Sequence, residues 1–294
     1  MRCRPLSQPS PLKGRGLQSP SGAIRAGFCF PTDGRLWHDR DMLEIHQFPC
    51  LSDNYGYLLH DPDSGETACI DTPDADEYLR QAALRGWQIT QIWNTHWHQD
   101  HAGGNAAIKA ATGCIIVAPA GEVERIAGVD HAVGHGDIAS LGAWEAQVID
   151  VGGHTAGHIA YHLPGAEIAF VGDAVFALGC GRMFEGTAPQ FWDSLSRIKA
   201  LPDSTMLYCA HEYTASNARF ALHADPDNAD LRGYADAVAR ARKAGQPTVP
   251  FPLARDLRTN PFLRADDPAM QARWGHPGDA VATFAALRTA KDSF

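Results

Sequence analysis

From residue 42 onward, short runs rich in β-branched and aromatic residues alternate with turn-forming Gly, Pro, Asn and Asp, a pattern that predicts strands. The runs fall at 43–46, 55–60, 68–71, 89–94, 115–118, 146–151, 159–163, 168–171 and 206–209. Between them, 75–85 and 104–111 carry apolar residues at helical spacing. Strands outnumber helices, so the pattern predicts sheets packed face to face with helices outside. After His211 the character changes. Segments 213–223, 228–244 and 279–290 are Ala-rich with helical spacing, and the Pro-punctuated stretch 246–261 links them. The expected class is α/β (α+β): a two-layer sandwich over 42–212 followed by a smaller helical domain over 213–294.

Residues 1–41 show no such periodicity: Arg2, Arg4, Lys13, Arg15 and Arg25 sit among Ser, Pro and Gly, with no acidic residue before Asp33. They are expected to form a disordered extension outside the fold. A secretory signal would need an apolar stretch of roughly 7 to 15 residues, which is lacking, whereas a transit peptide fits the composition.

Composition narrows the function. The chain has 294 residues, 45% hydrophobic and 20% charged, as expected of a folded protein. No apolar run approaches the roughly 18 residues of a membrane span. The formal net charge is −9. Residues 1–41 hold seven of the 25 basic and three of the 34 acidic residues, leaving −13 on the body. So acidic a surface argues against nucleic acid and requires a local cationic pocket for any anionic ligand. Seven scattered cysteines without a C-x-x-C suit free thiols in a reducing, cytoplasmic setting.

The chemistry concentrates at Thr95-His96-Trp97-His98-Gln99-Asp100-His101, between a predicted strand and a helix opened by Gly103-Gly104. In an extended segment His96 and His98 point to one side, and a turn at Gln99 brings Asp100 and His101 round. Imidazole and carboxylate donors without a clustered thiolate suit Zn²⁺, Fe or Mn²⁺. His154, Asp173 and His211 each follow a predicted strand, and a carboxylate directly after the apolar run 168–171 is costly to bury unless paired or metal-bound. Seven side chains exceed the usual three of one catalytic zinc and point to two ions. His158 is expected to support the site rather than ligate, and the isolated His46, His60, His131, His223 and His276 to be structural or surface residues.

The H-x-H-x-D-H motif resembles the signature of the metallo-β-lactamase superfamily. Within it, the chain from about residue 42 resembles the glyoxalase II (hydroxyacylglutathione hydrolase) family. The resemblance runs through Asp53-Asn54-Tyr55, 94–105, 153–159, 170–173, 179–187, His211-Glu212-Tyr213-Thr214, Asn260-Pro261-Phe262 and Arg288-x-x-Lys291. It implies an αββα sandwich with a helical C-terminal domain, and two divalent ions, zinc being the expected metal. One ion would sit on His96, His98 and His154 and the other on Asp100, His101 and His211, with Asp173 bridging. Asp100 and Asp173 are the carboxylates expected to serve catalysis. The implied reaction is hydrolysis of S-D-lactoylglutathione by a metal-bound hydroxide, with Arg182, Phe184, Tyr213, Arg288 and Lys291 contacting substrate in a monomer. Phe184 stands where some members have Tyr, which removes a hydroxyl. A persulfide dioxygenase or a lactonase on the same fold is the alternative.

Overall fold

The computed structural model describes residues 42–294, so the segment 1–41 lies outside the described residues. Two six-stranded sheets form the body. In the first, β1 (Glu44–Cys50), β2 (Asn54–His60) and β3 (Thr67–Ile70) form an antiparallel meander. The parallel strands β4 (Gln91–Trp93), β5 (Ile115–Pro119) and β6 (His131–Val133) extend it. Parallel neighbours require crossovers, supplied by α1 (Ala75–Arg85) before β4 and by α2 (Gln99–Ala102) with α3 (Asn105–Thr112) before β5. Asp74 caps α1 by accepting from the N–H groups of Asp76 and Glu77, and Gly86 ends it at φ 71°.

The second sheet begins with β7 (Ile138–Leu141), β8 (Trp144–Asp150), β9 (Ile159–Leu163) and β10 (Ile168–Gly172), all antiparallel. A small hairpin, β11 (Val175–Phe176) and β12 (Gly179–Cys180), follows, then α4 (Ala188–Lys199). The helix crosses over to β13 (Met206–Cys209), which lies parallel to β10. Helix α4 is absent from the expectation, although Phe191, Leu195 and Ile198 bury one face and Thr187 caps it through the N–H of Gln190.

After β13 come α5 (Thr214–Ala224), α6 (Ala229–Lys243), β14 (Phe251–Pro252), α7 (Leu253–Thr259), α8 (Pro268–Arg273) and α9 (Ala280–Asp292). The stretch 246–261 is thus more than a link: Phe251 is fully buried and pairs with Leu207, making β14 the edge of the second sheet.

Side-chain alternation explains the layering. Tyr57 and Leu59 of β2 face Val148, Tyr161 and Phe170 across the sandwich, whereas Leu58 turns outward to join Tyr78 and Ile108 beneath α1 and α3. Phe262 and Phe284 of the carboxy-terminal part belong to the same core as the sandwich. Among the described residues, no helix is long and apolar enough to cross a membrane. Among the described residues, Cys50, Cys69, Cys114, Cys180 and Cys209 are buried and form no disulfide.

Candidate metal centre

The seven expected ligands meet at one rim of the sandwich, because they lie just past the ends of four strands, β4, β8, β10 and β13. β4 leads to His96 and His98 and then into α2, whose first turn carries Asp100 and His101. β8 leads to His154, β10 to Asp173 and β13 to His211. The loop of His154 needs glycine at 153: its φ is +150°, and a Cβ there would lie 2.2 Å from the Phe191 ring.

Nε2 of His96 lies 3.0 Å from Nδ1 of His98, which lies 3.1 Å from Nε2 of His154. A second group, Asp100, His101 and His211, lies beside it. Asp173 stands between them. Its Oδ2 is 3.4 Å from Nε2 of His154, and its Oδ1 is 3.5 Å from Nε2 of His101 and 3.4 Å from Nε2 of His211. Nε2 of His101 and Oδ1 of Asp173 are buried with no hydrogen-bond partner among the described residues. Orphaned buried polar atoms are costly, and these two are aimed at one point among nitrogen and oxygen donors. The donor set fits a divalent metal of the zinc, iron or manganese type.

The remaining ring nitrogens are anchored, which fixes the orientation of each imidazole. His154 donates from Nδ1 to the carbonyl oxygen of Arg182 (2.8 Å), His101 to Asp71 (2.8 Å) and His211 to Asp53 (2.8 Å). Nδ1 of His96 lies 3.1 Å from the Thr95 hydroxyl. His158 stacks on His96, and its Nε2 accepts from the N–H of Asp173 (3.0 Å), which keeps it out of the ligand groups.

Electrostatics follow from this crowding. Burial and then the neighbouring imidazoles lower the pKa of His96, favouring the neutral ring that donates to a metal. At Asp173 burial raises the pKa, but His211 and His101 outweigh it and hold the carboxyl well below its ordinary range. Asp100 behaves likewise, chiefly through His211 and His101. At His211 burial works downward, while Asp173, Asp100 and Asp53 lift it to about 11.

Two exposed aromatic rings flank the centre. Phe184 packs edge-on against His98 and His154, with centroids 5.9 and 5.3 Å apart. On the other side, Tyr213 stacks parallel on His211 at 4.7 Å. Arg182 is exposed, with Nε 4.0 Å from Asp292. Lys291 is half-buried, its ammonium over the rings of Phe220 and Phe294. Arg288, expected to contact substrate, is buried. It is 4% exposed, donates to the carbonyls of Cys180 (2.9 Å) and Gly181 (3.2 Å) and pairs with Asp292 (3.0 Å). The two cations share α9, but the loop after β12 covers only Arg288.

Sequence reasoning gave no role to Asp53, Asn54 or Asp71. Asn54 donates to the Asp100 carboxylate (3.3 Å), and Asp71 accepts from the N–H (2.7 Å) and hydroxyl (2.9 Å) of Thr95 besides His101. Asp71 follows the apolar strand β3 as Asp173 follows β10, so the same burial argument could have found it.

This fold and rim define a metal-binding protein of the metallo-β-lactamase class, and the metallo-β-lactamase superfamily model matches residues 57–211. The model for the hydroxyacylglutathione hydrolase C-terminus matches residues 212–294. The hydroxyacylglutathione hydrolase of Erythrobacter litoralis is 69% identical over 254 residues, covering 86% of this chain and 100% of that protein. That of Hyphomonas neptunium is 60% identical over 253 residues, covering 86% of this chain and 99% of that protein. Among solved structures, ETHE1 from Myxococcus xanthus superposes with a TM-score of 0.61 at 26% identity, covering 83% of this chain and 89% of that one. The chain belongs to the hydroxyacylglutathione hydrolase family of the metallo-β-lactamase superfamily.

Proposed function

We propose that the chain hydrolyses S-D-lactoylglutathione to glutathione and D-lactate, the second step of methylglyoxal removal, using two divalent metal ions. The observation that carries this reading is the position of Asp173, with one carboxylate oxygen toward His154 and the other toward His101 and His211. His96, His98 and His154 would hold one ion, and Asp100, His101 and His211 the other, with Asp173 shared. When bound, such a pair supplies an acidified water as nucleophile and Lewis-acid polarisation of the thioester carbonyl.

The protein's own residues do the rest. Asp100 and Asp173 stay ionised and can accept a hydrogen bond from the attacking water, turning its lone pair toward the carbonyl carbon. The thiolate leaves without a protein acid, since a thiol ionises near pH 8 to 9. Phe184 and Tyr213 form apolar walls on either side of the thioester, and Arg182 and Lys291 face the glutathione carboxylates on an otherwise acidic body. Arg288 acts through the loop at Cys180 and Gly181. In this reading, 42–212 is the catalytic unit and 213–294 the substrate-binding unit. One chain supplies every ligand, so a monomer suffices. Zinc suits the nitrogen-rich donor set, and the unpaired buried cysteines suit the cytoplasm.

The test is an assay of metal-quantified protein on S-D-lactoylglutathione beside a β-lactam and a persulfide. Preferred turnover of the glutathione thioester is expected, and preferred turnover of either competitor would overturn the reading.

A further inference from the structure

Glu122 ends the short turn Ala120–Glu122 after β5, is 2% exposed and forms no salt bridge among the described residues. A buried carboxylate is costly unless its oxygens are fully engaged. Here Oε2 accepts from the N–H of Trp97 (2.7 Å), while Oε1 accepts from the Thr155 hydroxyl (2.5 Å) and the N–H of Gly157 (3.0 Å). Trp97 lies between His96 and His98, and Thr155 follows His154. One carboxylate therefore ties together the two loops that carry the first histidine group. The approach is tight: a Cβ on Gly157 would lie 2.8 Å from Cγ of Glu122.

A second carboxylate repeats the tie nearer the surface. Glu185 accepts from the indole N–H of Trp97 (3.2 Å), from Arg125 (2.5 Å) and from the N–H of Ala156 (2.9 Å). The Arg125 guanidinium also lies 3.4 Å over the Trp97 ring. Glu185 is exposed and paired with a cation, whereas among the described residues Glu122 is bonded only to donors of the two loops.

We propose that Glu122 is a positioning residue for His96, His98 and His154, holding the separation of their nitrogens at that of a metal site. The inference rests on the reading of these histidines as ligands. Backbone N–H groups bind both oxygens of Glu122, and an amide cannot accept from both. Glu122→Gln must therefore break one loop attachment while keeping size and shape.

The experiment uses full-length, zinc-loaded protein challenged with increasing chelator, with bound zinc counted throughout. In wild type the zinc count tests the metal reading itself, and the variant-to-wild-type ratio tests Glu122, so the two failures are distinguishable. Glu122→Gln is expected to release one zinc at about 10- to 100-fold lower chelator than wild type, the other leaving later, while Glu185→Gln shifts release less. An unchanged release profile overturns the proposal, and so does equal early loss of both ions, which would mark general loosening. If Glu122→Gln does not fold, Thr155→Val and Thr155→Ser decide. Earlier release in Val restored by Ser supports the role, and wild-type release in Val overturns it.

Discussion

Oδ1 of Asp53 accepts a hydrogen bond from Nδ1 of His211 at 2.8 Å, although the two residues lie 158 positions apart. Backbone pairing brings them together: the N–H of Tyr55 donates to the carbonyl of Ala210 (2.7 Å), and that of Glu212 to Asp53 (2.9 Å). The first sheet thus supplies the anchor for a histidine of the second. Losing such an anchor typically weakens metal binding by about 10- to 100-fold. Asp53→Ala should release zinc at correspondingly lower chelator concentrations. Wild-type zinc retention would show that the orientation of the His211 ring does not depend on Asp53.

Arg182 and Arg288 should separate binding from stability. Arg182 is exposed, so Arg182→Ala should raise KM for lactoylglutathione by about tenfold with an unchanged melting temperature. Buried Arg288 holds two backbone carbonyls, so Arg288→Ala should cost about 1.5–3 kcal/mol of stability as well as activity. Thermal unfolding beside kinetics checks this, and an unaltered melting temperature for Arg288→Ala would return Arg288 to a purely substrate-facing role. A small thioester lacking the peptide should be insensitive to Arg182→Ala.

Lys291 gives binding a pH dependence. Burial, then Arg288 and Arg219, lowers its pKa to about 8. The ammonium is charged below that value and neutral above it, so KM for the anionic substrate should rise as pH climbs through about 8, with kcat less affected. Lys291→Arg keeps its charge and should flatten that limb. KM measured from pH 6.5 to 9.5 in both proteins checks the claim, and parallel profiles would refute it.

Asp256 on α7 gives stability a pH dependence of its own. It is fully buried, accepts from the N–H of Leu178 (2.9 Å) and from Asn260 (3.0 Å), and burial raises its pKa from 3.8 to about 7. The fold therefore binds this proton more tightly than the unfolded chain, so its contribution falls as pH rises between about 4 and 7. Asp256→Asn cannot titrate, and its melting temperature should gain on that of the wild type across this window. A difference independent of pH would contradict the assignment.

The sequence made the long strands and the ligands legible for one physical reason. Buried strands such as β9 and β10 need uninterrupted apolar runs, and a histidine or carboxylate at the end of such a run stands out. Strands β6, β11, β12 and β14 are too short to show alternation, and β14 hid among prolines. Helix α4 did carry a signal in Phe191, Leu195 and Ile198, which the Gly-rich approach to it obscured. The contacts of Glu122 and Asp53 were illegible because their partners come from distant segments. The burial of Arg288 depends on carbonyls 107 and 108 residues away, beyond any helical spacing rule.

The central claim is that catalysis needs two metal ions held around Asp173. Its most direct test is the rate of S-D-lactoylglutathione hydrolysis during titration of metal-free protein with zinc. The rate should reach its plateau only as bound zinc approaches two ions per chain, and Asp173→Ala should reach neither the plateau nor that stoichiometry. Full activity at one ion per chain, or undiminished activity in Asp173→Ala, would contradict the account.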